Sequence, residues 1–362
     1  MYFTSVDTGY AVGGNGTIRY TNNGGTNWSA LTSGTTNYLY SVYFINSVIG
    51  YAVGSSGKII KTSNGGSNWD TISSGSTRDF NSVYFCNTDT GYIVGRWGTI
   101  LKTTNGGIKW VTSATGINTN VHLNSVFFTS TDTGFVVGTS GYIYKTINGG
   151  SSWTNMGNGA SGSLDFYSVQ FISADTGFVV GENSVFIKTT NGGTSWSSTY
   201  GGGNVFHSVF FIDINIGYVA GSYGGYGIIQ KTTNGGTNWT TVFSNGSTGN
   251  LNSLYFPNTS TGYVVGLSGA IHKNSIVTEV EEDDQSFSVN IFPNPNDGVF
   301  TVNVITQLLG LNYSITDQLG RIVITGKLSS ETKTININEF PVGIYVFKIE
   351  GQHKQSFKIV KI

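Results

Sequence analysis

The chain is poor in cysteine, proline and charge: one cysteine, four prolines and 10% charged side chains in 362 residues. With Cys86 alone, no intrachain disulfide can form, so packing and strand pairing must hold the fold. No run approaches 18 apolar residues, which excludes a transmembrane helix. Residues 1–275 carry 11 basic and 9 acidic side chains and residues 286–362 carry 7 and 5, so neither part is basic enough to predict nucleic-acid binding.

Glycine and aromatic residues are abundant instead, with 52 Gly, 20 Tyr and 22 Phe. This composition favours many short strands joined by tight turns, and argues against helices. The length predicts two domains.

A repeat dominates the first three quarters of the chain. The segment SVYFINSVIGYAVGSSGKIIKTSNGGSNW at 41–69 recurs at 82–110, and its Gly-aromatic pair returns every 40 to 45 residues. Each copy contains four short strand patterns, and this is the period of a four-stranded propeller blade. Seven copies therefore predict an all-β, seven-bladed β-propeller, closed because an open array would expose sheet edges. The pair falls at Gly9, Gly50, Gly91, Gly134, Gly177, Gly217 and Gly262.

Six copies contain the motif [ST]-x-N-G-G-x-x-W, which resembles the Asp-box of bacterial neuraminidase repeats with Asn in place of Asp. We predict a structural role: the Asn bonds backbone N–H groups, the glycines supply positive φ and the Trp packs under the turn. The residues are Asn23, Trp28, Asn64, Trp69, Asn105, Trp110, Asn148, Trp153, Asn191, Trp196, Asn234 and Trp239.

As a whole, residues 2 to about 275 resemble the photosystem II assembly and stability factor family of propellers. The resemblance implies the fold. Photosynthetic members are thought to hold chlorophyll-protein intermediates on an Arg-rich surface, whereas this region has only Arg19, Arg78 and Arg96. We therefore do not transfer that role.

The sequence changes character after the repeats. Residues 275–286 are acidic and lack aromatic side chains, which predicts a solvated linker between a propeller at 1–274 and a second domain at 287–362. Alternating short strands in the second domain predict a small immunoglobulin-like β-sandwich.

This second domain resembles the C-terminal sorting domain of the type IX (Por) secretion system. The resemblance implies recognition by that machinery at the outer membrane, with the protein secreted or held on the outer cell surface. It rests on Pro293, Asn294, Pro295, Gly298, Phe300, Asp317, Gly320, Gly343 and Tyr345.

The Asp-box raises the alternative of a secreted, sialidase-like glycoside hydrolase. Such an enzyme needs an arginine cluster, a Tyr nucleophile with a carboxylate partner and an acid, and most glycosidases need two carboxylates at a defined separation. We predict no enzyme, no cofactor and no metal site, because acids and histidines are scattered over different copies. The test is whether two of the following approach within about 10 Å: Asp79, Asp165, Glu182 and Asp213.

A ligand site is expected where the copies differ, since shared residues maintain the blades. The differences lie in the turns between second and third strands and in the crossings between blades, so we predict a monomeric recognition or adhesion module that binds a glycan or a protein there. Cys86 is predicted to be a packed thiol. The expected ligand-binding residues are Arg78, Asp79, Arg96, Trp97, Glu182, Tyr223 and Tyr226.

The two ends of the repeat region are incomplete. Copy one starts part-way, copy seven stops before its NGGxxW strand, and MYFTSVDTGY has no signal-peptide pattern. We expect a Trp-containing strand and a signal peptide ahead of Met1. The alternative is that residues 275–280 fold back as the missing strand.

Overall fold

The computed structural model describes residues 1–157, 164–245, 249–275, 289–304, 306–317, 321–349 and 355–362. The chain divides into two compact units, Met1–Thr278 and Glu279–Ile362. In the described ranges, helices are single turns, and none has the length or apolar character to cross a membrane.

The first unit consists of seven antiparallel sheets that follow one another along the chain, as predicted for a propeller. Six sheets have four strands paired in chain order, and the seventh has three among the described residues. The strands are β1 Tyr2–Phe3, β2 Gly9–Val12, β3 Ile18–Thr21 and β4 Ser29–Leu31 in blade one; β5 Leu39–Phe44, β6 Gly50–Gly54, β7 Ile59–Thr62 and β8 Asp70–Ile72 in blade two; β9 Phe80–Phe85, β10 Gly91–Gly95, β11 Thr99–Thr103 and β12 Val111–Thr112 in blade three; β13 Leu123–Phe128, β14 Gly134–Gly138, β15 Ile143–Thr146 and β16 Thr154–Asn155 in blade four; β17 Phe166–Phe171, β18 Gly177–Gly181, β19 Phe186–Thr189 and β20 Ser197–Thr199 in blade five; β21 Val205–Phe211, β22 Gly217–Tyr223, β23 Tyr226–Thr232 and β24 Thr240–Asn245 in blade six; and β25 Leu251–Asn258, β26 Thr261–Gly266 and β27 Ile271–Ser275 in blade seven.

Aromatic rings connect each blade to the next. Tyr51 of blade two stacks on Phe85 of blade three with ring centroids 4.4 Å apart, and Trp110 stands edge-on at 5.9 Å from Phe85. The glycine of the Gly-aromatic pair is required because an aromatic ring of the first strand covers it. In blade two, a Cβ at Gly50 would lie 2.6 Å from the ring of Phe44, the equivalent of Phe85. Only glycine fits there.

A backbone carbonyl in the Asp-box turn receives two donors from the preceding blade. Tyr51 OH donates to Gly106 O at 2.6 Å, and Lys61 Nζ donates to the same oxygen at 2.9 Å. Tyr263 and Lys273 of blade seven make the same pair of bonds to Gly24 of blade one, at 2.8 and 2.7 Å. These bonds close the ring between its last and first blades.

The Asp-box turn holds itself together by side-chain bonds to backbone. Thr62 Oγ1 accepts from the N–H groups of Asn64 and Gly66, and Asn64 Oδ1 accepts from Asn68 N at 2.9 Å. Gly65 and Gly66 have positive φ values of 66° and 85°. Of the six motif tryptophans, Trp69, Trp110 and Trp153 are buried, and Trp28, Trp196 and Trp239 are half-buried.

The second unit contains two sheets around one apolar core. Three strands pair in the order β28-β29-β32 and four in the order β31-β30-β33-β34, and both sheets contribute buried residues such as Phe300 and Phe347. Its immunoglobulin-like character stays a prediction. The strands are β28 Asn290–Phe292, β29 Val299–Asn303, β30 Asn312–Thr316, β31 Ile322–Lys327, β32 Thr332–Asn336, β33 Gly343–Ile349 and β34 Gln355–Lys361.

Two expectations fall on residues that the structure does not describe. The acidic linker lies outside the described residues from 276 onward, as does the segment 276–280 that was the alternative fourth strand of blade seven.

Replacing Trp110 with Ala should lower the free energy of unfolding by about 3–5 kcal/mol, because a buried aromatic leaves a cavity between two blades. Trp110 is 7% exposed. Denaturant unfolding followed by circular dichroism measures this, with the exposed Trp97→Ala as the matched control. A larger loss of stability for Trp97→Ala than for Trp110→Ala would show that Trp97 is the structural residue and Trp110 is not.

Candidate functional site

Two sets of loops meet on one face of the propeller, which we call the variable-loop face. It comprises the turns between second and third strands and the crossings that lead into each first strand. Ser56 N, in the turn of blade two, donates to Asp79 Oδ1 in the next crossing at 2.9 Å. Ser140 N and Asp165 Oδ1 repeat this bond at 2.9 Å between blades four and five. The loops that differ between copies are thus adjacent.

The turn of blade three has an unusual residue at a constrained position. The middle residue of these turns takes a left-handed backbone conformation, and Asn or Ser occupies it in five other blades, with φ between 52° and 58°. Trp97 takes the same conformation with φ of 57°. A bulky side chain adopts it only at a cost, of the order of 1–3 kcal/mol.

Polar contacts fix Trp97 while its ring stays half exposed at 50%. Arg78 Nη1 donates to the Trp97 carbonyl at 2.9 Å, and Trp97 N donates to His122 Nδ1 at 3.3 Å. The His122 ring stands perpendicular to the indole, with centroids 4.9 Å apart. Trp97 is therefore a positioned aromatic surface that remains open to solvent.

Charged groups lie directly beside it. Arg96 Nε is 3.2 Å from Asp79 Oδ2, and a shallow depression is lined by Thr77 and the four residues Arg78, Asp79, Arg96 and Trp97. Tyr40 lies nearby. Burial raises the pKa of the Tyr40 phenol, and the charge of Asp79 raises it further. One aromatic face, two guanidinium groups and one carboxylate thus converge.

A second cluster surrounds Glu182 in blade five. Glu182 Oε2 accepts from Asp165 N at 3.1 Å, and Tyr167 OH donates to Glu182 Oε1 at 3.4 Å. The His207 ring lies 5.0 Å from Tyr167. Burial first, then the Glu182 and Asp165 charges, raise the pKa of Tyr167 to about 12. The carboxyl groups of Asp165 and Glu182 lie within about 10 Å of each other, since the bond joins one to the backbone of the other.

Tyr223 and Tyr226 are opposite each other at the tip of the β22–β23 hairpin, 58% and 51% exposed. The structure therefore brings Arg78, Asp79, Arg96 and Trp97 together in blade three. It places Glu182 in blade five and the two tyrosines in blade six.

The sequence analysis did not identify one variable position, which lies two residues after Asp79 and Asp165 in the crossings between blades. This position directly precedes the shared serine of the first strand, and it differs between copies, which is the signal that identifies it. Tyr40 and Tyr167 occupy it beside the two clusters. The full set is Tyr40, Asn81, Asn124, Tyr167, His207 and Asn252.

The predicted sorting residues hold the last strand of the second unit. Asn294 Oδ1 accepts from Val360 N at 2.8 Å, and a Cβ at Gly298 would lie 1.9 Å from Asn338 Oδ1. Tyr345 OH donates to Pro341 O at 2.6 Å. Lys361 Nζ is buried and donates to three carbonyls, of Ile337, Asn338 and Phe340. Gly320 lies outside the described residues, and Pro293, Pro295 and Gly343 flank these contacts.

Two parts of the chain match known families. Residues 27–116 and 112–201 match the family of the photosynthesis system II assembly factor YCF48, and residues 290–362 match the secretion system C-terminal sorting domain. No curated protein sequence matches the chain.

Solved propellers share the fold at low identity. YCF48 from Cyanidioschyzon merolae is 19% identical, covering 76% of this chain and 94% of its own, with a TM-score of 0.62. A structure of YCF48 bound to D1 peptide is 17% identical over 75% and 89%, with a TM-score of 0.62. The GH74 enzyme of Niastella koreensis is 14% identical over 100% and 72%, with a TM-score of 0.65.

The first unit is thus a seven-bladed β-propeller, and the chain combines it with a domain for export. The repeats within residues 27–201 match the YCF48 family. The C-terminal unit is a type IX secretion sorting domain, so the protein is secreted or displayed at the cell surface.

Burial raises the pKa of the Cys86 thiol to about 12, and Lys102 offsets this only in part. We predict that Cys86 in the folded chain reacts with a disulfide reagent at pH 8 about 100-fold more slowly, or slower still, than in urea. Because the unfolded thiol ionises near pH 9 and the folded one does not, stability should also fall as the pH rises from 9 towards 12. Fast labelling under native conditions would contradict the assignment of Cys86 as a packed, half-buried thiol.

Proposed function

We propose that the propeller is a non-catalytic recognition or adhesion module that binds a glycan in the blade-three depression of the variable-loop face. Trp97 supplies a flat surface on which a sugar ring stacks. Arg78, Arg96 and Asp79 supply donors and acceptors for its hydroxyl or carboxylate groups. The module acts as a monomer outside the cell.

The observation that carries the proposal is the constrained, exposed Trp97. A tryptophan in the left-handed backbone conformation is strained, and burial of the side chain does not offset this strain, since half of the Trp97 surface faces solvent. Strained residues of this kind concentrate at functional sites.

One observation favours a second candidate, a glycoside hydrolase centred on Tyr167. A tyrosine beside a glutamate, with a second carboxyl group nearby, is the arrangement that sialidases use for their nucleophile. Against it, the pKa of about 12 keeps the Tyr167 phenol protonated, and the repeat region has no arginine in blade five for a substrate carboxylate. We therefore rank catalysis second.

Trp97→Ala should weaken glycan binding by about 30-fold, the loss expected for an aromatic anchor worth about 2 kcal/mol. The measurement is a glycan array with the full chain, followed by titration of the strongest ligand. The melting temperature should change little.

Val111→Ala is the matched control, because Val111 is also exposed in blade three but lies outside the depression. If both variants bind like the parent chain, or if the array is blank while a protein ligand is captured at this depression, the glycan proposal fails.

The enzymatic candidate has its own test. Incubation of the full chain with fluorogenic sialosides and other aryl glycosides should give no turnover, and Tyr167→Phe should leave this baseline unchanged. Turnover that disappears in both Tyr167→Phe and Glu182→Gln would establish the hydrolase instead.

A further inference from the structure

The junctions between blades share one arrangement in which the following blade supplies a Trp and a glycine carbonyl. Between blades two and three, Trp110 stands edge-on to Tyr51 at 6.5 Å and to Phe85 at 5.9 Å. Gly106 O accepts from Tyr51 and from Lys61. Both groups belong to the segment that leads into the fourth strand of blade three.

The junction between blades six and seven lacks this segment among the described residues. Tyr218 and Phe256 occupy the positions of the stacked pair, with ring centroids 4.7 Å apart. In place of the Trp there is a cavity of about 330 Å³, which is lined mainly by apolar side chains. Phe243 of blade six and His272 of blade seven both line it, with ring centroids 5.3 Å apart.

The polar atoms of this junction are also unpartnered. Tyr218 Oη is buried without a hydrogen-bond partner, although the equivalent hydroxyls of Tyr10, Tyr51, Tyr92 and Tyr263 all donate to a glycine carbonyl. Lys231 Nζ lies 6.0 Å from the Tyr218 ring centroid, with no hydrogen bond to any described residue. A buried donor without an acceptor is destabilising, so an added acceptor at this position is favoured.

The strand edge beside the cavity has no partner strand among the described residues either. In each of the other six blades the third strand pairs with a fourth. β27 pairs with β26 on one side only, within the part of the chain that the structure describes. An open strand edge is a template for an added strand.

We infer that this junction is an acceptor site for a separate polypeptide that carries a strand of the form [ST]-x-N-G-G-x-x-W. Its Trp fills the cavity, its glycine carbonyl accepts from Tyr218 and Lys231, and its following residues pair with β27. The motif and its contacts are inferred from the six four-stranded blades, each of which contains this segment. The chain's own continuation does not match it, because Asn274 to Thr278 read NSIVT where other copies read T-x-N-G-G, and residues 279–288 contain neither Gly nor Trp.

The probe is a labelled synthetic peptide with the sequence of residues 232–244, TTNGGTNWTTVFS, added to the full chain. We expect saturable binding with one peptide per chain. Hydrogen exchange should slow at the amides of β27, since they gain backbone partners. A second peptide carrying Trp239→Ala should bind at least about tenfold more weakly, as for a lost aromatic anchor.

The protein variant for this test is Tyr218→Phe. Phe135 and Phe178 occupy the equivalent position in blades four and five, so the variant retains the packing of the ring. It should fold and bind the peptide two- to tenfold more weakly, the loss expected for one hydrogen bond. No binding, equal binding of the two peptides, or a dimer of the chain that excludes the peptide would overturn the inference. The site is separate from the variable-loop face, so these results leave the glycan proposal unaffected.

Discussion

The propeller depends on one repeated interaction, in which a tyrosine hydroxyl, a lysine ammonium or both donate to a single glycine carbonyl of the next blade. At Gly106 these bonds are 2.6 and 2.9 Å long, and they anchor the turn that also positions Trp110. The glycine takes φ of 62°, which a larger residue would adopt only with strain. Because the last blade makes the same bonds to Gly24, the interaction also closes the ring.

The sequence alone was sufficient for the fold because the Gly-aromatic pair of this junction recurs in all seven copies. The spacing of Gly-aromatic pairs predicted seven blades, and the C-terminal motif predicted the sorting domain, as the family matches also indicate. Which predicted site residues are adjacent could not be derived, since that depends on how far each loop lies around the ring. Arg78 and Trp97 prove to be in contact, whereas Tyr223 is three blades away.

The hydrogen-bond partners of several side chains could not be predicted from the sequence either. Asp79 and Asp165 looked like candidate acids, but each accepts a backbone N–H from the turn of the preceding blade. Tyr167 gave no motif, and only the fold brings its hydroxyl to Glu182. The division between shared residues that maintain the ring and differing residues that are free for a ligand therefore holds in outline, with exceptions at these two carboxylates.

The most direct test of this division exchanges one turn for another. Arg96→Ser with Trp97→Ser converts the turn of blade three into the Ser-Ser-Gly turn of blade two, where Ser56 has φ of 55° against 57° for Trp97. The measurement is the melting temperature of the double variant together with its glycan binding. Our account predicts a melting temperature at least as high as that of the parent chain and a loss of binding. A destabilised propeller that still binds the ligand would contradict it.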